Sequence, residues 1–91
     1  MRQGLTIEWT TRAIRDMRRI AQQDQERIVA KVEQYAQDPT SLASQVRRLS
    51  DSEYSRLCVG SHRVIFAVEH GRATVMTVQR VLHRREAYEQ R

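Results

Sequence analysis

The sequence predicts an α+β fold of order β-α-α-β-β-β, a mainly antiparallel four-stranded sheet packed on one face by two helices. Three observations carry that expectation. Residues 5–9 alternate apolar and polar, the period of a half-buried strand. Residues 12–36 carry apolar side chains at helical spacing. From Tyr54 onward the period returns to about two, and short turn signals separate three runs.

Each element follows from its residues. Leu5, Ile7 and Trp9 alternate with Thr6 and Glu8 in the first strand. Thr10 and Thr11 offer hydroxyls to cap a helix beginning near Arg12. In that helix Ile14, Met17, Ile20 and Ala21 form the apolar stripe, and Arg12, Arg15, Asp16, Arg18 and Arg19 take the other side. Asp24 is a candidate cap for a second helix, with Ile28, Val32, Tyr35 and Ala36 as its stripe and Pro39 beyond its end. A polar loop, Thr40 to Gln45, follows. Leu57 and Val59 then alternate with Arg56 and Cys58 up to a Gly60-Ser61 turn. Val64, Phe66 and Val68 alternate with Arg63, Ile65 and Ala67 up to His70-Gly71-Arg72. Ala73 to Arg80 is the last strand, and short turns make these three an antiparallel meander.

Composition narrows the function. Ninety-one residues make one domain at most, taken here as 1–91. Net charge is +5, and all the basic residues except Lys31 are arginine. Arginine presents a flat fork of donors that fits phosphate oxygens, so nucleic acid is the expected anionic partner. Residues 1–46 hold seven basic and six acidic side chains, residues 47–91 nine and five. The second half is therefore where an anion site is expected. Cys58 is the single cysteine and cannot form an internal disulfide. The three histidines and Cys58 show no zinc-ligand spacing, so neither a metal nor a cofactor is expected. With no apolar signal core and no run near ~20 apolar residues, the expectation is a cytoplasmic protein with no membrane contact.

Leu57, Val59, Val64 and Phe66 require the core, which puts Arg56, Cys58 and Arg63 on the opposite face by alternation. Arginines gathered on adjacent strands repel unless an anion lies between them. The tail adds His83, Arg84, Arg85 and Tyr88 within six residues. Cleaving RNA needs a base for the 2′-hydroxyl, an acid for the leaving oxygen and cations on the phosphoryl group. Histidine is the usual acid or base at neutral pH, arginine a fixed charge, and tyrosine a proton donor or stacking surface. Arg63, His83, Arg84 and Tyr88 are expected to converge on the face away from the helices. The same residues also fit a basic tail ending in a terminal helix turn.

The run Arg56-Leu57-Cys58-Val59-Gly60-Ser61-His62-Arg63-Val64-Ile65-Phe66 resembles the "R-L-R-V-G-D-Y-R-V-I-Y" of the RelE/ParE superfamily of toxins. Arg80 to Tyr88 resembles the closing "R-V-G-H-R-R-D-V-Y" of its RelE-like branch. Ile7-Glu8-Trp9-Thr10, Asp38-Pro39 and Leu49 also stand where those toxins have their counterparts. The resemblance implies a toxin of a toxin–antitoxin pair, an endoribonuclease that cuts messenger RNA on the ribosome by 2′-hydroxyl attack. It implies catalytic positions at Arg56, Arg63, His83, Arg84 and Tyr88, and further RNA-binding positions at Arg47, Arg48, Arg80 and Arg85. It also implies a cognate antitoxin and a toxin–antitoxin hetero-oligomer. Cys58 replaces a basic residue of the pattern, and His62 an aromatic one. Two alternatives stay open: a ParE-like toxin acting on DNA gyrase without RNA cleavage, and a non-catalytic RNA-binding module.

Overall fold

The computed structural model describes residues 4–89, apart from the side chains of Tyr88 and Glu89. In chain order it contains β1 (Thr6–Trp9), α1 (Thr11–Arg18), α2 (Gln22–Gln37) and a 3-10 segment (Pro39–Gln45). These are followed by β2 (Val46–Arg48), β3 (Ser55–Val59), β4 (His62–His70), β5 (Thr74–His83) and α3 (Arg84–Glu89). The five strands form one sheet in the order β1-β5-β4-β3-β2. β1 runs parallel to β5, and every other pair is antiparallel.

The sheet has five strands where four were expected. The extra one, β2, holds only three residues, too few for any period to register, and forms the edge beside β3. The stretch expected as a polar loop is largely 3-10 helix, because Leu42 within it is 2% exposed and plugs the core. α2 begins at Gln22, ahead of the Asp24 cap expected for it; Asp24 lies in its first turn and pairs loosely with Arg27 at 3.9 Å.

The core lies between one sheet face and the helices. It gathers Ala13 from α1, Ile28, Val32 and Ala36 from α2, and Leu57, Val59, Val64, Phe66, Met76, Val78 and Val81 from the sheet. Each large side chain buried there contributes about 1.5–3 kcal/mol. Tyr35 tilts against Phe66 with ring centroids 5.0 Å apart, and burial raises its phenol pKa. Leu5 N donates to Ala36 O at 2.8 Å, tying the start of β1 to the end of α2.

α1 departs from its expected orientation. Ile14, expected in the core stripe, is 43% exposed, and Ala13 is buried in its place. Asp16, expected toward solvent, faces inward. The cause is the length of β1, whose pairing with β5 ends at Trp9↔Val78. Beyond Val78 the edge of β5 is covered by α1, whose entry is fixed by Thr10. The Thr10 hydroxyl accepts from Ala13 N at 3.1 Å and donates to Gln79 O at 2.9 Å. Gln25 of α2 donates to Met17 O at 2.6 Å and Ile20 O at 2.8 Å, closing the turn between the helices. No described helix is long and apolar enough to cross a membrane.

The β3–β4 turn is the two residues Gly60 and Ser61, with Gly60 at φ +58°. A positive φ at the first position alone suits the right-handed twist of the flanking strands. A side chain at Gly60 would meet nothing within 4 Å, so Gly60→Ala isolates the backbone cost. It should lower unfolding stability by about 1–2 kcal/mol, read from urea denaturation, with the sheet retained.

Candidate functional site

Alternation delivers part of the expected cluster. Leu57, Val59, Val64 and Phe66 are buried against the helices, so Arg56, Cys58, Arg63 and Ile65 belong to the other face. Arg47 stands directly opposite Arg56, and Cys58 directly opposite Arg63. Three arginines therefore occupy adjoining positions across β2, β3 and β4. Leu82, paired with Arg63, is 4% exposed yet lies outside the core cluster, as does Ala67. That face is thus partly covered, and α3 packs back against β4 and β5 at its end.

The Gly60-Ser61 turn draws two expected residues to one place. Arg63 Nη1 donates to Gly60 O at 3.0 Å and to His62 O at 2.9 Å. Its buried Nε has no hydrogen-bond partner among the described residues. Arg84 N donates to Ser61 O at 2.8 Å, which fixes the start of α3 on the same turn. Arg84 and Arg85 are both exposed. Tyr88 lies one helical turn beyond Arg84 in α3; its side chain is outside the described residues.

His83 does not join them. β5 carries an irregularity: Ile65 pairs with Arg80 and Phe66 with Val78, leaving Gln79 as an extra residue. A one-residue bulge inverts the alternation beyond it. Without it Leu82 would face the core and His83 would share a face with Arg63. With it Val81 is buried in the core, Leu82 pairs with Arg63, and His83 pairs with His62 on the helix side. The two imidazoles meet edge to face, 5.8 Å between centroids. They line a cleft of about 340 Å³ with Asp16, Arg19, Asp24 and Glu86. The expected convergence of His83 with Arg63 is therefore corrected: they lie on opposite faces.

His83 also caps α3. Its Nδ1 accepts from Arg85 N at 3.2 Å, and Glu86 Oε1 accepts from His83 N at 3.0 Å, a reciprocal capping box. A ring nitrogen that accepts carries no proton, so neutral His83 holds its hydrogen on Nε2.

Two further candidates are engaged elsewhere. Arg48 Nε donates to Ser52 O at 3.2 Å within its own loop. Arg80 donates to Asp16 through Nε at 2.8 Å and Nη2 at 3.1 Å, and Val81 N reaches the same carboxylate at 2.9 Å. Burial alone would raise the Asp16 pKa; the hydrogen bonds from Arg80 and Val81 and the charges of Arg80 and Arg12 outweigh it, and the net shift is downward. The bond to Asp16 raises the pKa of Arg80 in turn, against the cost of its burial. Asp16 is the residue that reading the sequence missed. Its only local signal was a carboxylate surrounded by four arginines, which reads as a solvated helix face.

The fold and the arginine-lined turn define a small basic α+β domain suited to an anionic partner. The model of the ParE toxin of type II toxin–antitoxin systems, parDE, matches residues 7–88. The chain belongs to that family, and it is a toxin of the RelE/ParE superfamily. Comparison with curated proteins gave no match. Among solved structures it is similar to a chain of the archaeal RelE–RelB complex from Pyrococcus horikoshii OT3, with a TM-score of 0.74 and 14% identity over 90% of this chain and 97% of that one. It is similar to a mutant of E. coli toxin RelE in the free state, with a TM-score of 0.74 and 16% identity over 97% and 94%. It is also similar to the YoeB/ParE toxin of Agrobacterium tumefaciens, with a TM-score of 0.72 and 15% identity over 87% and 98%. At such identities the likeness is one of fold.

Two outcomes test this geometry. Asp16→Ala leaves Arg80 and Val81 N without their acceptor and should cost about 2–3 kcal/mol at neutral pH. Because the folded-state pKa of Asp16 is depressed, its contribution is complete above the ordinary carboxylate range. It is lost as pH falls through the folded value. Urea titrations should therefore show wild type and variant converging only below about pH 4. For His83, asparagine is a good helix cap without an imidazole. His83→Asn should keep the fold and most of the toxicity, measured as growth arrest on induction, whereas a proton-carrying His83 would lose it.

Proposed function

We propose that this toxin is a metal-independent endoribonuclease that cleaves messenger RNA on the ribosome and so stops translation. The observation that carries the reading is the anchoring of Arg63 and Arg84 on the Gly60-Ser61 turn, beside Arg47 and Arg56 on the same side of the hairpin. The Arg63 guanidinium, held ahead of the reaction by the turn's carbonyls, suits the charge that builds on a phosphoryl group under attack by a 2′-hydroxyl. Attack forms the bond from the 2′-oxygen to phosphorus and breaks the one to the 5′-oxygen, leaving a cyclic phosphate. The leaving oxygen takes up a proton. Tyr88, one turn along α3 from Arg84, is the residue assigned to proton transfer or base stacking. His83 is assigned to hold α3 in place. Arg85 is a further contact to the RNA backbone; Arg48 and Arg80 keep their structural partners. Cys58 leaves the site with one cation fewer than the superfamily pattern.

A second reading is favoured by one observation, that the imidazole faces away from the arginines. The toxin would then act on DNA gyrase as a binder, without cleaving RNA. In either case its neutralising partner is a cognate antitoxin. Similar structures that are toxin–antitoxin complexes include those of RelE–RelB from Pyrococcus horikoshii, RelBE2 from Mycobacterium tuberculosis and RelB–RelE from Methanococcus jannaschii.

Arg63→Ala should lower cleavage of ribosome-bound messenger by about 100- to 1,000-fold, or about 3–4 kcal/mol of transition-state stabilisation. Antitoxin affinity should change far less, since that contact is spread over many residues. Growth arrest with intact messages and blocked supercoiling would replace the nuclease reading with the gyrase one.

A further inference from the structure

α1 carries a second concentration of charge, in the half of the chain that composition marked as nearly neutral. Arg12, Arg15, Arg18 and Arg19 are all exposed. Among the described residues none of the four guanidinium groups has a hydrogen bond or ion pair, although the charge of Arg12 acts on Asp16, whereas those of Arg27 and Arg80 on neighbouring elements are paired. Asp16, the one acid of the helix, is turned inward to Arg80. The spacing makes three like-charge pairs: Arg12 with Arg15, Arg15 with Arg18, and Arg15 with Arg19. Such pairs at three and four residues destabilise a helix. The helix dipole favours a cation in the last turn, where Arg15 and Arg18 lie, but its benefit fades within that turn. It disfavours Arg12 in the first turn, where there is no acid. Arg12 faces Asp16; the three exposed arginines left without a partner among the described residues, Arg15, Arg18 and Arg19, point to an anion outside the molecule.

We propose that the outer face of α1 is a docking surface for the phosphate backbone of double-helical RNA, separate from the turn that holds the scissile strand. The inference rests on the RNA reading of the target. Arg12 to Arg19 spans about 10 Å of helix axis, enough to meet several successive phosphates of one strand. The only large apolar side chain exposed among the described residues is Ile14. That is too little apolar surface to anchor a protein, while a backbone contact needs none. α1 covers one edge of β5 and β4 pairs with the other, so the proposed surface and the Arg63 turn flank the same strand. RNA held on α1 would orient the toxin by shape and charge and leave the sequence choice to the cleavage site.

The test compares the full-length toxin with the triple variant Arg15→Gln, Arg18→Gln, Arg19→Gln. Arg12 is kept because it acts on Asp16. The probes are an RNA duplex of about 16 base pairs, a DNA duplex of the same sequence, and ribosomes carrying message. Wild type should bind the RNA duplex with steep salt dependence. The variant should bind at least tenfold more weakly, with a slope shallower by about 0.9 for each arginine engaged. Its Tm should stay level or rise, since like-charge repulsion is relieved. Its ribosomal cleavage should fall through KM, with kcat held. Unchanged RNA affinity and slope in the variant would overturn the proposal. So would tighter binding of the DNA duplex, or loss of antitoxin binding alone. If wild type cleaved no message yet bound RNA duplex through these arginines, the nuclease reading would fail and the docking surface would stand.

Discussion

The carboxylate of Asp16 holds together three parts of the molecule that would otherwise drift. It closes the edge of β5 where β1 stops, accepting from Val81 N the hydrogen bond that a longer neighbouring strand would have taken. It fixes Arg80 in a bidentate pair, and so pins the bulge that Gln79 creates. It also turns α1, leaving Ala13 buried and Ile14 exposed. An unsatisfied strand-edge N–H in a half-buried setting is costly, and a half-buried carboxylate without a cation more so. Each group removes the other's penalty. The lock is therefore a matter of mutual satisfaction more than of net attraction.

The register that this lock sets reaches the far end of β5. Past the bulge every side chain changes face, so Leu82 lies beside Arg63 and His83 beside His62. His83 is then placed to cap α3, while Arg84, the next residue, is tied by its backbone to Ser61. A single extra residue thus separates the imidazole from the arginines and gives each a different task. The imidazole orders the terminal helix, and the Arg63 guanidinium is held at the β3–β4 turn to which the backbone of Arg84 is tied.

Electrostatic strain is distributed unevenly over the surface. Arg80 is neutralised internally, and Arg63 spends part of its donor capacity on the carbonyls of its own turn. Arg47 and Arg56 face one another across two strands, and Arg15, Arg18 and Arg19 of the α1 segment have no partner among the described residues. A small domain has little stability to spare, so like charges gathered in this way suit a protein whose anionic partners are part of its working state. The toxin–antitoxin family to which the chain belongs accords with such a surface.

What the sequence determined by itself was whatever depends on nearest neighbours. Alternation separated Leu57 and Val59 from Arg56 and Cys58 without reference to anything distant, because a strand turns its side chains by a fixed local rule. Helical spacing found Ile28, Val32 and Ala36, and Gly60-Ser61 announced its turn. The fold class and the arginine face of the hairpin were legible for that reason. β2 was not, since three residues carry no period. The bulge was not either, because what stabilises it is Asp16, 64 residues earlier than Arg80. Only the tertiary structure, by bringing α1 to the open edge of β5, decided that Asp16 would turn inward, that Ile14 would stay exposed, and that His83 would leave the face its alternation had assigned.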